Sequence, residues 1–390
     1  MNPTGLKSSW RSAEVLGDSL PEYFYARLFV SNPNLRELFP ASMSAQRDRL
    51  FSALGRIVSS VDDLDALAPY LRQLGADHRR FAVEPDGYPA VGRALLETLA
   101  HFLGELWTEA LAADWIQAYG LIAHVMQEGA AALAGSPSVW HADVISHDRV
   151  SPGIAIFKVV PHQPFAFRAG QSVPIESGLR PKVWRYLSPA NSPRPDGSME
   201  FHVRAVAGGV LSPALAYSLG PGMVVQLGAA VGSGLLLDHN SDRPLIMVAG
   251  GTGLAPLKAL IDDLRITGAN RPTSLIVGAR TARDLYDLDA LAALARQCRW
   301  LTVTPVVSDD PGYSGRCGLP TELLPTLGGV PDCEAYVCGP AEMVEAVVCA
   351  LTAAGLVPQQ IHTESAEVSI RREPLLEIRR GDQHYESALA

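Results

Sequence analysis

Apolar residues recur three and four positions apart throughout the first third of the chain. One such face carries Leu71, Leu74 and His78, and a longer apolar stripe runs from Leu95 to Leu106. This spacing is typical of amphipathic helices, and no segment before residue 135 alternates between apolar and polar positions. The pattern therefore predicts an all-α domain over residues 1–135.

Short alternating or β-branched runs follow, separated by turns rich in proline and glycine. These runs cover Ile154–Val160, Gln171–Ile175, Met199–Val206 and Val224–Leu227. Several short strands with such turns are typical of a small barrel. We therefore expect an antiparallel β-barrel domain over residues 136–242.

From Arg243 onward, apolar strands alternate with helices. The strands are predicted at Leu245–Ala249, Ser274–Gly278, Leu301–Val307 and Ala335–Cys338, with helices starting at Ala255, Asp284 and Ala341. Such alternation indicates an α/β domain with a doubly wound parallel sheet, here over residues 243–366. Residues 367–390 match no element and form a C-terminal extension of unknown role. The chain is thus predicted to be multidomain.

Charge and composition narrow the function classes. The 390 residues include 32 Lys and Arg and 41 Asp and Glu, which gives a net charge of −9 and argues against nucleic acid as the main partner. Glycine and proline interrupt the uncharged stretch between Arg204 and Asp238, so no integral membrane segment is predicted. Met1–Trp10 lacks the apolar core of a secretion signal, and we expect a cytoplasmic protein whose oligomeric state stays open. The five cysteines, an odd number, predict no disulfide framework.

A glycine-rich turn joins the first strand of the α/β domain to its helix. The turn consists of Gly250, Gly251, Thr252 and Gly253. Glycines allow close approach to a pyrophosphate, and the helix N-terminus offers N–H groups, although an ordinary tight turn would look the same. Two later strands end at the same sheet edge in further motifs, which are Gly278-Ala279-Arg280 and Cys338-Gly339-Pro340. Together they predict a dinucleotide site, and Arg280 leaves the choice between NADH and NADPH open.

These motifs resemble the nicotinamide-binding domain of the ferredoxin–NADP reductase family. The resemblance implies that Gly250–Gly253 border the nicotinamide and pyrophosphate of NAD(P)H, with Cys338–Pro340 near the ring. That family binds FAD on the preceding barrel, through an Arg-x-Tyr-Ser strand and a Gly-x-x-Ser turn. The corresponding residues here are Arg185, Tyr186, Leu187, Ser188, Gly208, Gly209, Val210, Leu211 and Ser212.

The strand motif departs from the family pattern by one residue. Counted from Arg185, the family tyrosine falls on Leu187, and counted from Tyr186, the arginine falls on Trp184. We expect Arg185 and the N–H groups of Val210–Ser212 to hold the FAD pyrophosphate. We expect Tyr186 to stack on the isoalloxazine ring. The alternative is an ordinary barrel strand with an exposed arginine.

A second departure lies near the end of the chain. Glu364 matches the glutamate that precedes a C-terminal aromatic residue in the reductase family, but Ser365 and Ala366 follow it here. The flavin face is therefore either open or covered by the residues beyond, and either arrangement changes the flavin environment.

His78, taken alone, would be read as a packed core histidine. Its context changes that interpretation, because the spacing of surrounding residues resembles a bacterial globin domain. These residues are Tyr25, Phe39, Gln46, Leu50 and Tyr88. A globin joined to such a reductase resembles the flavohemoglobin family, of which this chain would be a divergent member. The resemblance implies haem b, FAD and NAD(P)H as cofactors, and O2 and NO as small-molecule ligands.

The same resemblance assigns roles within the helical domain. It makes His78 the proximal iron ligand, and Tyr25 and Gln46 the distal hydrogen-bond donors. Leu50 would restrict the distal space and Phe39 would pack against the haem.

The proximal side departs from the family pattern. The family places a tyrosine and a glutamate against the proximal histidine. Tyr88 is present, but the glutamate position, counted from Tyr119, falls on Ala130, and Glu128 lies on another helix face. We therefore expect a weakened push of electron density toward the iron.

The resemblance implies an oxidoreductase in which reduced nicotinamide passes a hydride to FAD, which supplies single electrons to haem. In the family, nitric oxide and dioxygen are then converted to nitrate. Two alternatives stay open. One is a haem-based sensor or electron-transfer protein without efficient nitric oxide turnover, and the other is a flavin dehydrogenase with a different donor.

Overall fold

The computed structural model describes residues 1–81 and 87–364, so the predicted extension 367–390 lies outside the described residues. The N-terminal third is helical, as predicted. Its helices are α1 (Pro3–Glu14), α2 (Ser19–Ser31), α3 (Ser44–Ser59), α4 (Leu64–His78), α5 (Gly87–Leu103) and α6 (Glu109–Ala131). Short 3₁₀ turns follow three of them, at Pro33–Leu38, Arg79–Phe81 and Gly104–Leu106.

Helices α4 and α6 cross with their backbones in contact. A Cβ atom at Gly75 would overlap the carbonyl group of Met126, and one at Gly129 would overlap the carbonyl group of Arg72. Only glycine fits such a crossing, because any side chain would push the two backbones apart. The crossing fixes the position of α4, whose last residue is His78.

The middle of the chain forms a six-stranded sheet in which every pairing is antiparallel. Its strands are β1 (Trp140–Ser151), β2 (Ile154–Pro161), β3 (Val173–Ser177), β4 (Arg185–Leu187), β5 (Met199–Arg204) and β6 (Val224–Leu227), in the order β4-β3-β6-β1-β2-β5. A bridge between Pro189 and Phe201 joins the segment after β4 to β5 and closes the sheet. Helix α7 (Leu211–Tyr217) packs Leu211 and Leu215 into the barrel core. The predicted antiparallel barrel is thus confirmed.

The last described part is a parallel five-stranded sheet in the order β11-β10-β7-β8-β9. Its strands are β7 (Leu245–Gly250), β8 (Thr273–Ala279), β9 (Leu301–Val307), β10 (Glu334–Cys338) and β11 (Ile361–Thr363), and its helices are α8 (Leu254–Thr267), α9 (Leu288–Gln297), α10 (Pro320–Leu323) and α11 (Ala341–Ala353). Alternate residues of β7 enter two different cores. Met247 packs with Leu257 of α8, whereas Val248 packs with Val347 of α11. Helices therefore cover both faces, which confirms the doubly wound sheet.

One helix starts later than predicted. A 3₁₀ turn occupies Ala282–Asp284, and α9 begins at Leu288 rather than at Asp284. The reason is a capping box, in which Thr281 and Asp284 satisfy each other's backbone N–H groups and close a separate turn.

Two sequence expectations concern features that the fold lacks. No helix in 1–81 or 87–364 combines the length and the apolar character needed to cross a lipid bilayer. No disulfide joins any of the five cysteines, all of which lie in this part of the chain.

Candidate functional site

The predicted distal residues lie together between α2 and α3. The hydroxyl group of Tyr25 donates to the backbone carbonyl of Gln46 at 3.5 Å, and its ring meets that of Phe39 edge-on at 5.5 Å. Leu50, one turn beyond Gln46, packs against the same apolar cluster. Burial raises the pKa of Tyr25 well above its ordinary value of 10.0, so the phenol stays a hydrogen-bond donor at neutral pH.

Arg49 lies beside the predicted distal residues, and the sequence motifs did not mark it. It lies on α3 between Gln46 and Leu50, and its positive charge acts on Tyr25, where it partly opposes the effect of burial on the pKa. The signal that could have indicated it is its position three residues after Gln46, which places both on one helix face.

The proximal residue, His78, is oriented by its own helix. Its Nδ1 atom lies 2.6 Å from the backbone carbonyl oxygen of Leu74, one turn earlier. Because a carbonyl only accepts, Nδ1 carries the proton in this pairing, and Nε2 carries the lone pair with which the side chain would bind a metal. Metal-ligating histidines are usually held in this way.

The surroundings of these residues fit a large apolar ring. Apolar side chains near both helices are only half-buried, namely Phe39, Leu50, Leu74 and Tyr88. Their partial exposure leaves apolar surface beside α3 and α4, and we take the space between these helices as the candidate haem cleft. A haem would fit this donor set, because it needs one imidazole ligand and apolar surroundings, which His78 and these side chains would supply.

The proximal partners are only partly in place. Tyr88, on the first turn of α5, packs in the cluster that includes Leu74, and its carbonyl accepts from Tyr119 Oη at 2.5 Å. Glu128 faces solvent and pairs with His124 at 3.2 Å and with Arg72 at 3.9 Å. Ala130 carries no carboxylate, so α6 directs no acidic group into the cleft from either position.

The flavin strand β4 turns Tyr186 toward the helical domain. Its hydroxyl group accepts from Arg80 Nη2 at 2.8 Å and lies 3.5 Å from Asp77 Oδ2. Because neighbouring residues on a strand face opposite sides, Leu187 lies on the other face of β4. This geometry favours the register counted from Arg185, and it uses Tyr186 for a domain contact instead of the expected ring stacking.

Glu364 reaches the flavin strand through a chain of hydroxyl groups. Ser188 Oγ lies 2.9 Å from Ser172 Oγ, which donates to Glu364 Oε1 at 3.2 Å. The structure thus brings together two predicted flavin-site residues, and it adds Ser172 from the segment before β3. No motif marks Ser172, because a single serine before a strand is an ordinary feature.

The predicted phosphate turn precedes α7. Gly208 has a left-handed backbone with φ of 73°, and the N–H group of Gly209 donates to the carbonyl of Val206. Ser212 Oγ accepts from the Val206 N–H at 3.3 Å, so its side chain closes the turn. Leu211 is buried, and the first backbone N–H groups of α7, which have no partner within the helix, would be the groups that meet a ligand.

The glycine-rich turn of the α/β domain packs against the second nicotinamide motif. A Cβ atom at Gly253 would overlap the carbonyl group of Cys338, and one at Gly339 would lie 3.0 Å from the Cα atom of Gly250. Gly253 and Gly339 are therefore required in part because the two motifs pack against each other. Gly251 has a φ of 54°, which opens the turn toward the barrel, and Thr252 follows it.

One arginine borders this turn, and a second follows the neighbouring strand β8. Arg280, at the end of β8, is exposed, and its carbonyl accepts from the N–H group of Asp309. Arg204, at the end of β5, places its guanidinium group beside Gly251 and pairs with Asp284 at 3.1 Å. No local pattern marks Arg204, because the barrel and the turn meet only in the folded chain.

Family profiles match three successive parts of the chain. The globin profile matches residues 22–126, the oxidoreductase FAD-binding domain matches residues 141–234, and the oxidoreductase NAD-binding domain matches residues 247–348. The order of the three matches is the order of the helical domain, the barrel and the parallel sheet.

Curated relatives fall into two groups. The flavohemoprotein of Bacillus subtilis is 25% identical over 92% of this chain and 95% of its own length. The electron transfer component XylA of the xylene/toluene monooxygenase of Pseudomonas putida is 36% identical, over 55% of this chain and 62% of its own length. XylA thus has the higher sequence identity of the two, but it matches a smaller part of this chain.

The same division appears among solved structures. A flavohemoglobin from Malassezia yamatoensis with bound FAD and heme aligns with 93% of this chain and 98% of its own at a TM-score of 0.74, with 18% identity, which is a likeness of fold. The Amycolatopsis cytochrome P450 reductase GcoB aligns with 58% of this chain and 69% of its own at a TM-score of 0.55, with 30% identity.

Proposed function

The chain belongs to the flavohemoglobin family, and from that premise we propose that it converts nitric oxide and dioxygen to nitrate with electrons from NAD(P)H. Its cofactors are haem, FAD and a nicotinamide dinucleotide. FAD takes a hydride and releases electrons singly, and haem iron binds diatomic gases. The reaction balances when two NO and two O2 consume one NAD(P)H and give two nitrate ions, NAD(P)⁺ and one proton.

The buried phenol of Tyr25 is the observation that carries this proposal. Its hydroxyl group remains protonated inside an aromatic cluster, and its bond to the Gln46 carbonyl, at 3.5 Å, is weak enough to be exchanged for one to a bound ligand. A donor fixed in such a dry site stabilises partial negative charge on a bound ligand more strongly than water does. Gln46 provides a second donor beside it, and Phe39 and Leu50 exclude water.

The proximal side has a different task. The hydrogen bond between Nδ1 of His78 and the Leu74 carbonyl holds the imidazole in one tautomer and one orientation. A carbonyl partner leaves the ring less electron-rich than a carboxylate would, and Tyr88 adds only a half-buried phenol.

The reductase residues bind and orient the two dinucleotides. Arg185 and the backbone of Val210–Ser212 would hold the FAD pyrophosphate, with Ser188 linked to Glu364 at the flavin edge. The backbone of Gly250–Gly253 would face the NAD(P)H pyrophosphate, and Cys338–Pro340 would border the ring.

Rapid mixing of the reduced, oxygenated holoprotein with nitric oxide tests the proposal. We expect one nitrate per nitric oxide consumed, and continued turnover while NAD(P)H lasts. Nitrate formation no faster than with a simple storage globin would remove the assignment.

A second candidate is an electron-transfer protein without efficient nitric oxide turnover. Two observations favour it. Glu128 forms its ion pairs with Arg72 and His124 at the surface, and the reductase half is 36% identical to an electron transfer component. In that case, the lack of a carboxylate partner for His78 limits nitric oxide turnover.

The variant Ala130→Glu separates the two candidates. If the cleft lacks only a carboxylate, the variant should raise the iron–histidine stretching frequency and nitric oxide turnover together, because a carboxylate makes the imidazole more basic. Ala131→Glu, one residue further and exposed, is the matched control. Equal spectra for both variants would contradict the placement of position 130.

A further inference from the structure

A charged group lies buried where the helical domain meets the barrel. Arg80 follows α4 by two residues, and Arg80 Nη1 pairs with Asp77 Oδ1 at 3.2 Å. Their side chains are only 9% and 7% exposed. From the other domain, the hydroxyl group of Tyr186 accepts from Arg80 Nη2 at 2.8 Å. The buried charge is therefore shared between two domains.

Aromatic rings complete the surroundings of this arginine. The guanidinium carbon of Arg80 lies 4.8 Å from the ring centre of Phe81, 5.5 Å from that of Trp184 and 5.4 Å from that of Tyr186. A desolvated cation is stable only when it is paired and faces such electron-rich surfaces. Since two of the three rings and the Tyr186 hydroxyl group belong to the barrel, the arginine keeps these contacts only while the domains are docked.

A second contact joins the segment 182–187 to the helical domain. Lys182, which precedes β4, donates from Nζ to the backbone carbonyl of Glu37 in the helical domain. Lys182 has a φ of 66°, a left-handed conformation that a side chain rarely adopts, and its N–H group donates to Glu176 Oε1 at 2.7 Å. Such local strain persists only where surrounding contacts determine it. The segment 182–187 therefore contacts the helical domain next to Phe39 and again next to His78.

We propose that Arg80, Asp77 and Tyr186 are positioning residues for electron transfer between FAD and haem. Asp77 adjoins the proximal ligand His78, and Tyr186 lies between two predicted flavin contacts. The group thus ties both redox sites to one rigid contact. The step moves one electron, which oxidises the flavin by one equivalent and reduces ferric iron to ferrous, while no bond on these side chains changes. This inference rests on the proposed function, since it requires electrons to reach haem from NAD(P)H.

The variant Tyr186→Phe is the sharpest test, because it keeps the ring and removes only the hydroxyl group. We measure flavin reduction and haem reduction separately after anaerobic mixing of the holoprotein with NADH. We expect haem reduction to slow about fivefold to tenfold, as the loss of one ordinary hydrogen bond implies, while flavin reduction is unchanged. Tyr217→Phe, on the exposed face of α7, is the matched control and should change neither rate.

Arg80→Lys provides an independent variant that keeps the positive charge but loses the planar fork. It should slow the same step, and in both variants the backbone amides of 184–187 should exchange hydrogen faster than in the parent chain. Retained haem and flavin spectra show that each variant has folded.

Three outcomes are decisive. If haem reduction in Tyr186→Phe equals that of Tyr217→Phe, or if flavin reduction slows equally, the positioning role is overturned. If haem in the parent chain is not reduced at all after flavin reduction, the proposed function fails, independently of either variant. Slowing confined to haem reduction, with faster amide exchange at 184–187, supports the inference.

Discussion

At the scale of single residues, environment decides which atoms can do chemistry. His78 is directed by one backbone carbonyl, and Tyr25 stays protonated because it is buried. Tyr186 faces the helical domain because Leu187 faces the other way. Each role depends on a contact that forms only when the chain is folded.

Tyr25→Phe should release bound dioxygen about ten- to hundredfold faster, because it removes a hydrogen bond to a charged ligand. Oxygen dissociation measured after rapid mixing checks this result. Tyr23→Phe, on the same helix and stacked on His101 at 4.3 Å, should behave like the parent chain. Equal dissociation rates in the two variants would place the distal donor elsewhere.

The pKa of Tyr25 adds a pH dependence with a definite sign. Because burial raises this pKa above 10.0, the donor form persists at alkaline pH. The oxygen dissociation rate should therefore stay constant from about pH 8 to about pH 11, a range over which a tyrosine of ordinary pKa would lose its proton. A rate that rises within this range would show that the phenol is not shielded.

At the scale of elements, packing between α4 and α6 fixes the proximal helix. Glycines at the crossing bring the backbones together, and the exposed face of α6 carries the ion pairs of Glu128. The position of His78 therefore depends on residues one and two helical turns away.

Gly129→Ala should destabilise the helical domain by about 1–3 kcal/mol, because the new methyl group meets the Arg72 carbonyl. Gly120→Ala lies on the same helix with nothing within 4 Å, and should stabilise it by about 0.5–1 kcal/mol. Thermal unfolding, followed by helical circular dichroism, compares the two variants. If both variants changed the stability in the same direction, the two helices could move apart at the crossing without cost.

Strands were predictable where the two faces differ in polarity. Val224–Leu227 and Leu301–Val307 have the predicted bounds because apolar and β-branched residues continue to their ends. Trp140–Ser151 was missed as a strand, since polar residues such as His141 and Asp148 occupy much of it and two register shifts break its alternation. Patterns of this kind identify buried faces, whereas pairing between distant segments, such as Arg80 with Tyr186, follows only from the folded chain.

At the scale of the whole molecule, buried polar groups join the domains. Glu200 of the barrel accepts from Lys258 of α8 at 3.0 Å and from His202 at 3.2 Å, and Lys258 also pairs with Asp287 at 2.6 Å. Burial alone would raise the pKa of Glu200, but these partners hold it well below its ordinary value of 4.5. The barrel and the parallel sheet are thereby joined through a charged contact.

Glu200→Gln should lower the free energy of unfolding by about 2 kcal/mol at neutral pH. A carboxyl whose pKa is lowered on folding stabilises the protein above its ordinary pKa of 4.5, and this contribution is lost as the pH falls further. The difference from the parent chain should therefore shrink in acid, as urea unfolding at several pH values would show. Glu345→Gln, exposed on α11, should show no difference at any pH.

Haem reduction by NADH should be a property of the single chain. Since the domains share buried contacts, we expect the rate constant to stay the same after tenfold dilution. It should also change little between about 0.1 and 1 M salt, because buried charges are screened less than exposed ones. A rate that falls with dilution would show that electrons pass between molecules.

The ring of Trp184 lies against the guanidinium group of Arg80 and meets Phe81 edge-on at 6.3 Å. Its indole is thus an intrinsic fluorophore at the boundary between two coloured cofactors. Energy transfer to haem should quench the fluorescence of Trp184 in the docked molecule. The fluorescence should increase when the domains separate. Comparison with Trp184→Phe isolates this signal from the other five tryptophans, so separation of the domains can be timed without any attached dye.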